Sequence, residues 1–211
     1  MDPSALPIAA KLGPFLEYLD WAGVAVFAIS GALLAAAKRQ TLVTFIFFGI
    51  VTGVGGGTAR DLLIGAPVFW MNENATLLIC VAAALLVWTI PARRLQGKAL
   101  LWFDAVGLAA YGTYGAAKGL AFGVAPIPAI GMGVLSACLG GIIRDVLAGE
   151  PSVLMRAELY VTAAALASAL MVALVLLGMA PAAAGMIAAS SGFALRAGAI
   201  LRGWALPAYG R

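Results

Sequence analysis

Apolar residues fill this chain in long, nearly uninterrupted blocks, separated by short polar or proline-marked turns. Each block runs for about 18 residues or more, enough to cross roughly 30 Å of hydrocarbon as a helix. The blocks predict seven helices, over residues 20–37, 41–65, 74–91, 102–119, 127–149, 157–178 and 182–202. Pro67, Pro91, Pro126, Pro151 and Pro181 all fall at or beside predicted helix ends, where a missing N–H and a fixed φ are tolerated. The expected fold class is an all-α polytopic membrane protein, with residues 1–211 as a single membrane domain.

The pattern occurs twice. At a constant offset of 84, Asp20 matches Asp104, Gly23 matches Gly107, Phe27 matches Tyr111 and Gly31 matches Gly115. Further on, Gly49 matches Gly133, Gly65 matches Gly149, Pro67 matches Pro151 and Met71 matches Met155. Between residues 49 and 71, nine of 23 positions are identical without a gap. Ala, Gly and Leu match by chance in such a composition, but Asp, Arg-Asp and Pro do not. Repeat 1 spans 20–91 with helices 1–3, and repeat 2 spans 102–178 with helices 4–6. Helix 7, 182–202, is an addition. Three helices per copy is an odd number, so the second copy enters the membrane from the opposite side, giving an inverted 3+3 repeat.

Composition agrees with the pattern. The chain is 64% hydrophobic and only 10% charged, against about 25% charged in soluble domains, and its mean hydropathy is +1.04. The net charge of +4 does not point to nucleic acid, because most basic residues fall in short loops, where they set membrane orientation. Lys38, Arg39, Arg93, Arg94, Lys98, Arg156, Arg202 and Arg211 would share one side, against Lys11 and Lys118 on the other. That bias places the N-terminus outside and the C-terminus in the cytoplasm. The N-terminus lacks a basic region and a cleavage site, so the first span is expected to act as its own insertion signal.

The absence of histidine removes the usual proton shuttle, the commonest metal ligand and any Ser-His-Asp site. Cys80 and Cys138 lie inside predicted spans without metal-ligand spacing. No cofactor, metal or disulfide is expected, and no enzymatic activity.

What remains is the motif Gly55-Gly56-Gly57-Thr58-Ala59-Arg60-Asp61 and its second copy, Gly140-Gly141-Ile142-Ile143-Arg144-Asp145. Charges at membrane depth are costly and mark functional sites by default. Glycines weaken a helix, so helices 2 and 5 are expected to be broken at these clusters, freeing backbone groups to line a cation path. Close packing is the other reading: Gly49, Gly53 and Gly57 are spaced by four, as are Gly133, Ala137 and Gly141. It does not by itself explain adjacent glycines followed by charges.

Neighbouring residues on a helix point about 100° apart, so Arg60-Asp61 and Arg144-Asp145 are expected to find partners elsewhere. Asp20–Arg60 and Asp104–Arg144 are the expected interhelical pairs. Helix capping by Asp20 and Asp104 and snorkelling arginines are the competing readings. Thr52, Thr58, Ser136, Tyr111 and Tyr114 either supply oxygens to the path or satisfy freed backbone groups. Ser190, Ser191 and Arg196 on helix 7 allow no reading.

At GGGTARDLLIGAP and GGIIRDVLAGEP, with Asp20 and Asp104 at helix starts and the three-plus-three-plus-one layout, the chain resembles the trimeric intracellular cation (TRIC) channels. The likeness is to their prokaryotic branch, whose members carry two glycine-transporter-type domains, and it covers residues 15–205. It implies a homotrimer in a bacterial or archaeal cytoplasmic (inner) membrane, with membrane lipids and monovalent cations, chiefly potassium, as partners. It also implies a pore in each protomer lined by kinked helices 2 and 5. The alternative is a secondary transporter of a small solute such as glycine, using the same inverted repeat, with Asp61 or Asp145 as the coupling group.

Overall fold

The structure, a computed structural model, describes residues 6–91, 98–155, 158–207 and 209–210, with side chains from 18 onward. Of the orienting charges, the Lys11 side chain, Arg93, Arg94, Arg156 and Arg211 lie outside the described residues. Among the described residues seven α-helices follow one another: α1 Leu6–Ala37, α2 Leu42–Leu63, α3 Ala75–Thr89, α4 Ala99–Ala121, α5 Pro126–Leu147, α6 Val161–Leu176 and α7 Pro181–Arg202. Short 3₁₀ turns, η1 (Phe69–Met71) and η2 (Val153–Met155), precede α3 and α6.

The element ends follow local chemistry. Thr41 caps α2 by accepting the Thr44 N–H. Pro126 and Pro181 open α5 and α7, where a proline sacrifices no helical donor. Gly65 and Gly149, at φ +67° and +66°, end α2 and α5 in the left-handed conformation glycine adopts without a Cβ clash. α1 begins at Leu6, well before the predicted 20, because the stretch ahead of the first span continues the helix; the span itself is Tyr18–Ala37.

The inverted 3+3 repeat is visible in the packing. The aromatic rings of Phe27 and Tyr111 stack at 5.4 Å, and each covers the other repeat's glycine: a Cβ on Gly23 would lie 2.9 Å from Tyr111, one on Gly107 3.1 Å from Phe27. A cluster of Ala32, Leu33, Phe45, Ala84 and Val87 at one end is matched by Ala116, Ala117, Ala129 and Met171 at the other. α4 is the most enclosed helix and packs on α1, α5, α6 and α7. α7 adds its Ala184, Gly185 and Ala188 face to repeat 2.

The breaks expected at the glycine clusters do not appear as gaps in the helices. α2 is helical without a gap through Gly55, Gly56 and Gly57, as is α5 through Gly140 and Gly141. The glycines answer to packing instead. A Cβ on Gly56 would stand 2.2 Å from the Ser136 carbonyl oxygen, and one on Gly140 would stand 2.4 Å from that of Thr52. α2 and α5 therefore cross backbone on backbone, as small residues permit in lipid. The neighbouring glycines face other elements: a Cβ on Gly57 would stand 2.7 Å from the Phe69 ring, and one on Gly141 2.9 Å from the Tyr160 hydroxyl. Consecutive glycines are required because consecutive positions on each helix meet two different neighbours.

Gly131, also helical in α5, is exposed with open space at its Cβ position. Gly131→Ala is expected to stabilise by about 0.5–1 kcal/mol, while Gly56→Ala and Gly140→Ala each destabilise by about 1–3 kcal/mol through overpacking. Denaturation in detergent, followed by helical circular dichroism, measures the difference.

Candidate functional site

Arg60 and Arg144 sit in the last turns of α2 and α5 and are fully buried. A guanidinium stays charged in protein, so each needs anions at hand. Contrary to expectation, the adjacent aspartates supply them. Arg60 Nε donates to Asp61 Oδ1 at 2.8 Å and Nη2 lies 2.8 Å from the same oxygen. Arg144 Nε donates to Asp145 Oδ1 at 2.9 Å, with Nη2 at 2.8 Å. The long arginine stem curls back across the 100° between neighbours, which a comparison of Cα directions alone misses.

The second oxygen of each aspartate does another task. Asp61 Oδ2 accepts the Phe69 N–H and Asp145 Oδ2 the Val153 N–H, both at 3.1 Å. Each motif Arg-Asp-x-x-x-Gly-x-Pro is therefore a helix end, a left-handed glycine and a returning chain fastened to the aspartate. Asp61 and Asp145 hold η1 and η2 against the arginines.

The two halves then diverge. In one, Arg144 Nη1 meets Asp104 Oδ1 at 2.7 Å, the pair expected, and also donates to Ser30 Oγ. In the other, Asp20 makes no ion pair with Arg60. Arg60 instead lies 4.6 Å from the centre of the Tyr114 ring and 5.8 Å from that of Phe69. Lys118 Nζ binds Asp61 Oδ1 at 2.8 Å. The reason is the side chains that stand at equivalent places: Tyr114 where the other half has Ser30, and Lys118 where it has Leu34. The tyrosine ring fills the room and the lysine supplies a second cation. Asp20 Oδ1 is buried without a hydrogen-bond partner.

The small polar groups have varied fates. Thr58 Oγ1 donates to Val54 O at 2.7 Å and accepts Trp70 Nε1 at 2.9 Å. Ser136 Oγ donates to Met132 O at 2.6 Å, and Tyr111 Oη to Gly53 O at 3.4 Å. Thr52 Oγ1 is buried with no partner. Ser30, Lys118 and Tyr160 were not legible as site residues. Ser30 and Lys118 reach the aspartates from other helices, and neither residue type repeats at the offset of 84. Arg196 gains a role as well: fully buried, its Nη2 donates to Glu158 Oε2 at 2.6 Å and its guanidinium lies 5.4 Å from the Tyr160 ring centre. Together with an isolated β-bridge between Glu158 and Ala205, this fastens α7 to the segment before α6.

Removing Arg144 leaves Asp104 and Asp145 buried without a cation, whereas removing Arg60 leaves Lys118 on Asp61. Arg144→Met is therefore expected to cost about 3–5 kcal/mol and Arg60→Met clearly less. Equal losses in thermal unfolding would show that Lys118 does not compensate.

Comparisons with known proteins bear on this arrangement. The family profile described as "Glycine transporter" matches residues 17–92 and again 101–176. The UPF0126 inner membrane protein YadS of Escherichia coli K12 is 42% identical over 149 residues, covering 69% of this chain and 72% of the relative. The crystal structure of the TRIC trimeric intracellular cation channel orthologue from Rhodobacter sphaeroides superposes with a TM-score of 0.83. It is 40% identical, over 90% of this chain and 99% of that one. A prokaryotic TRIC channel solved in 0.5 M KCl superposes at 0.82 with 28% identity, over 91% and 98% of the two chains. In repeat pattern, sequence and fold alike, this multi-pass membrane protein belongs to the glycine transporter family, the family that includes the prokaryotic TRIC proteins.

Proposed function

We propose that the protein is a channel for monovalent cations, chiefly potassium, with a path through each protomer of a homotrimer. One observation carries the reading: similarity at 40% identity along nearly the whole chain to a protein described as a trimeric intracellular cation channel. The interior supports it. Two charged clusters, Asp20–Arg60–Asp61–Lys118 and Asp104–Arg144–Asp145, flank the crossing of α2 and α5. Oxygens of Thr52, Thr58 and Ser136 lie along the same helices, and the Tyr111 hydroxyl reaches Gly53 O of α2 from α4. The walls are then intact faces of α2 and α5, and the contribution of Gly55, Gly56, Gly57, Gly140 and Gly141 is to bring the two helices together. The end holding the α1–α2 turn, with Lys38 and Arg39, faces the cytoplasm by the positive-inside rule, in the inner membrane of a bacterium or archaeon.

The description of the family as glycine transporters favours a second reading, coupled uptake of a small solute. Proteoliposomes separate the two. Rapid potassium flux down a gradient, without solute coupling, is the result expected. Saturable glycine uptake with little uncoupled ion flux would replace the channel by a transporter.

Thr52 offers a sharper check. Replacing an unpartnered buried hydroxyl by an isosteric methyl relieves a desolvation cost of about 1–3 kcal/mol. Thr52→Val is expected to raise thermal stability and to lower potassium flux severalfold. A gain in stability with flux unchanged would remove Thr52 from the path.

A further inference from the structure

The seam between α1 and α5 reads as three layers. On α1, Ser30, Leu34 and Lys38 are spaced by four residues and form one stripe. Facing them are Arg144, then Leu147 and Ala148, then Glu150. The deepest layer is the bond from Arg144 to Ser30. The outermost is an ion pair between Lys38 Nζ and Glu150 Oε1. Between them lies a cavity of about 170 Å³, with Leu34, Phe48 and Leu147 as its apolar walls and Lys38, Gln40 and Thr44 on its polar side.

We propose that Lys38 and Glu150 form a latch across the cytoplasmic mouth of the path, closing it over a hydrophobic constriction at Leu34. The inference rests on the channel reading and adds a gate to it. Three features mark this pair as a latch and not a staple. It joins the first repeat to the second, so parting it opens the seam between the end of α1 and the end of α5. Its side chains are 40% and 36% exposed, which makes the pair weak and sensitive to salt, unlike the buried pairs below. And Glu150 is set by the helix end it follows: its N–H donates to Asp145 O at 2.9 Å, past the left-handed Gly149. A shift at the Arg144 cluster therefore moves one jaw of the latch. The opposite end of the bundle has no counterpart, since Phe122 and Ala66 stand at the equivalent places. Under the latch, Leu34 separates the 170 Å³ cavity from the polar layer at Ser30, so dewetting there blocks ions when the walls are close.

The test uses the full chain in sealed vesicles of known sidedness, with Leu34→Cys as reporter and a membrane-impermeant cationic thiol reagent as probe. Native Cys80 and Cys138 are buried, and the unsubstituted protein gives the background. Labelling is expected from the cytoplasmic face only. Lys38→Met or high salt should speed it by up to about fivefold, and the exchange Lys38→Glu with Glu150→Lys should restore the slow rate. If Leu34→Cys fails to fold, Phe48→Cys reports from the same cavity. Labelling that is indifferent to Lys38, or that proceeds from the outer face, overturns the latch. Potassium flux in the same vesicles keeps the two readings apart. Flux with latch-independent labelling removes the latch alone. Latch-dependent labelling in vesicles that pass no potassium supports the latch and removes the channel.

Discussion

A buried guanidinium cannot shed its charge, and this chain buries two of them at the ends of α2 and α5. Most of what surrounds them follows from that constraint. Each arginine is clasped by the aspartate beside it, the aspartate's other oxygen draws the returning chain into a 3₁₀ turn, and a left-handed glycine makes the reversal possible. The charged motif is thus the hinge on which each repeat's third helix is hung. The helices that follow these turns, α3 and α6, run for 15 and 16 residues. The carboxylates inside the bundle serve architecture first, and any ion path has to be built around them.

Duplication supplies the frame and divergence supplies the polarity. The stacked Phe27 and Tyr111 rings, each seated on the other's glycine, mark the centre from which the two halves spread. Away from that centre, Ser30 against Tyr114 and Leu34 against Lys118 make the halves chemically unequal. In one cluster two cations, Arg60 and Lys118, meet on Asp61; in the other a single arginine lies between Asp104 and Asp145. In the first the half-buried lysine lies one turn below the exposed Phe122 ring. In the second an apolar layer lies one turn below an exposed ion pair. A symmetric scaffold thereby acquires two different ends.

In lipid, helices gain little from hiding apolar surface from one another, so close backbone contact and polar bonds must hold the bundle. The α2–α5 crossing shows how far this goes, with positions where even a methyl group would collide with a carbonyl oxygen. The same contact explains why the glycines do not interrupt their helices. A stretch weakened by glycine in water stays helical here, held by its neighbours and by the lack of any competing hydrogen-bond partner in the hydrocarbon.

Hydropathy, proline placement and the offset of 84 determined the membrane class, the seven helices and the inverted repeat, because each depends on spacing along the chain, which the sequence states directly. The special character of the Arg-Asp motifs was equally legible, since charge at membrane depth is conspicuous wherever it falls. Their partners were not. Asp104–Arg144 followed from symmetry, but the same symmetry argument failed for Asp20–Arg60, where Tyr114 and Lys118 intervene from another helix. Whether consecutive glycines break a helix or press it against two neighbours turns on what stands opposite them. So does the fate of every small hydroxyl and of Arg196. These are contacts between residues far apart in the chain, and only the tertiary structure decides them, because the energy of a buried polar group is set by the few atoms that touch it and not by its place in the sequence.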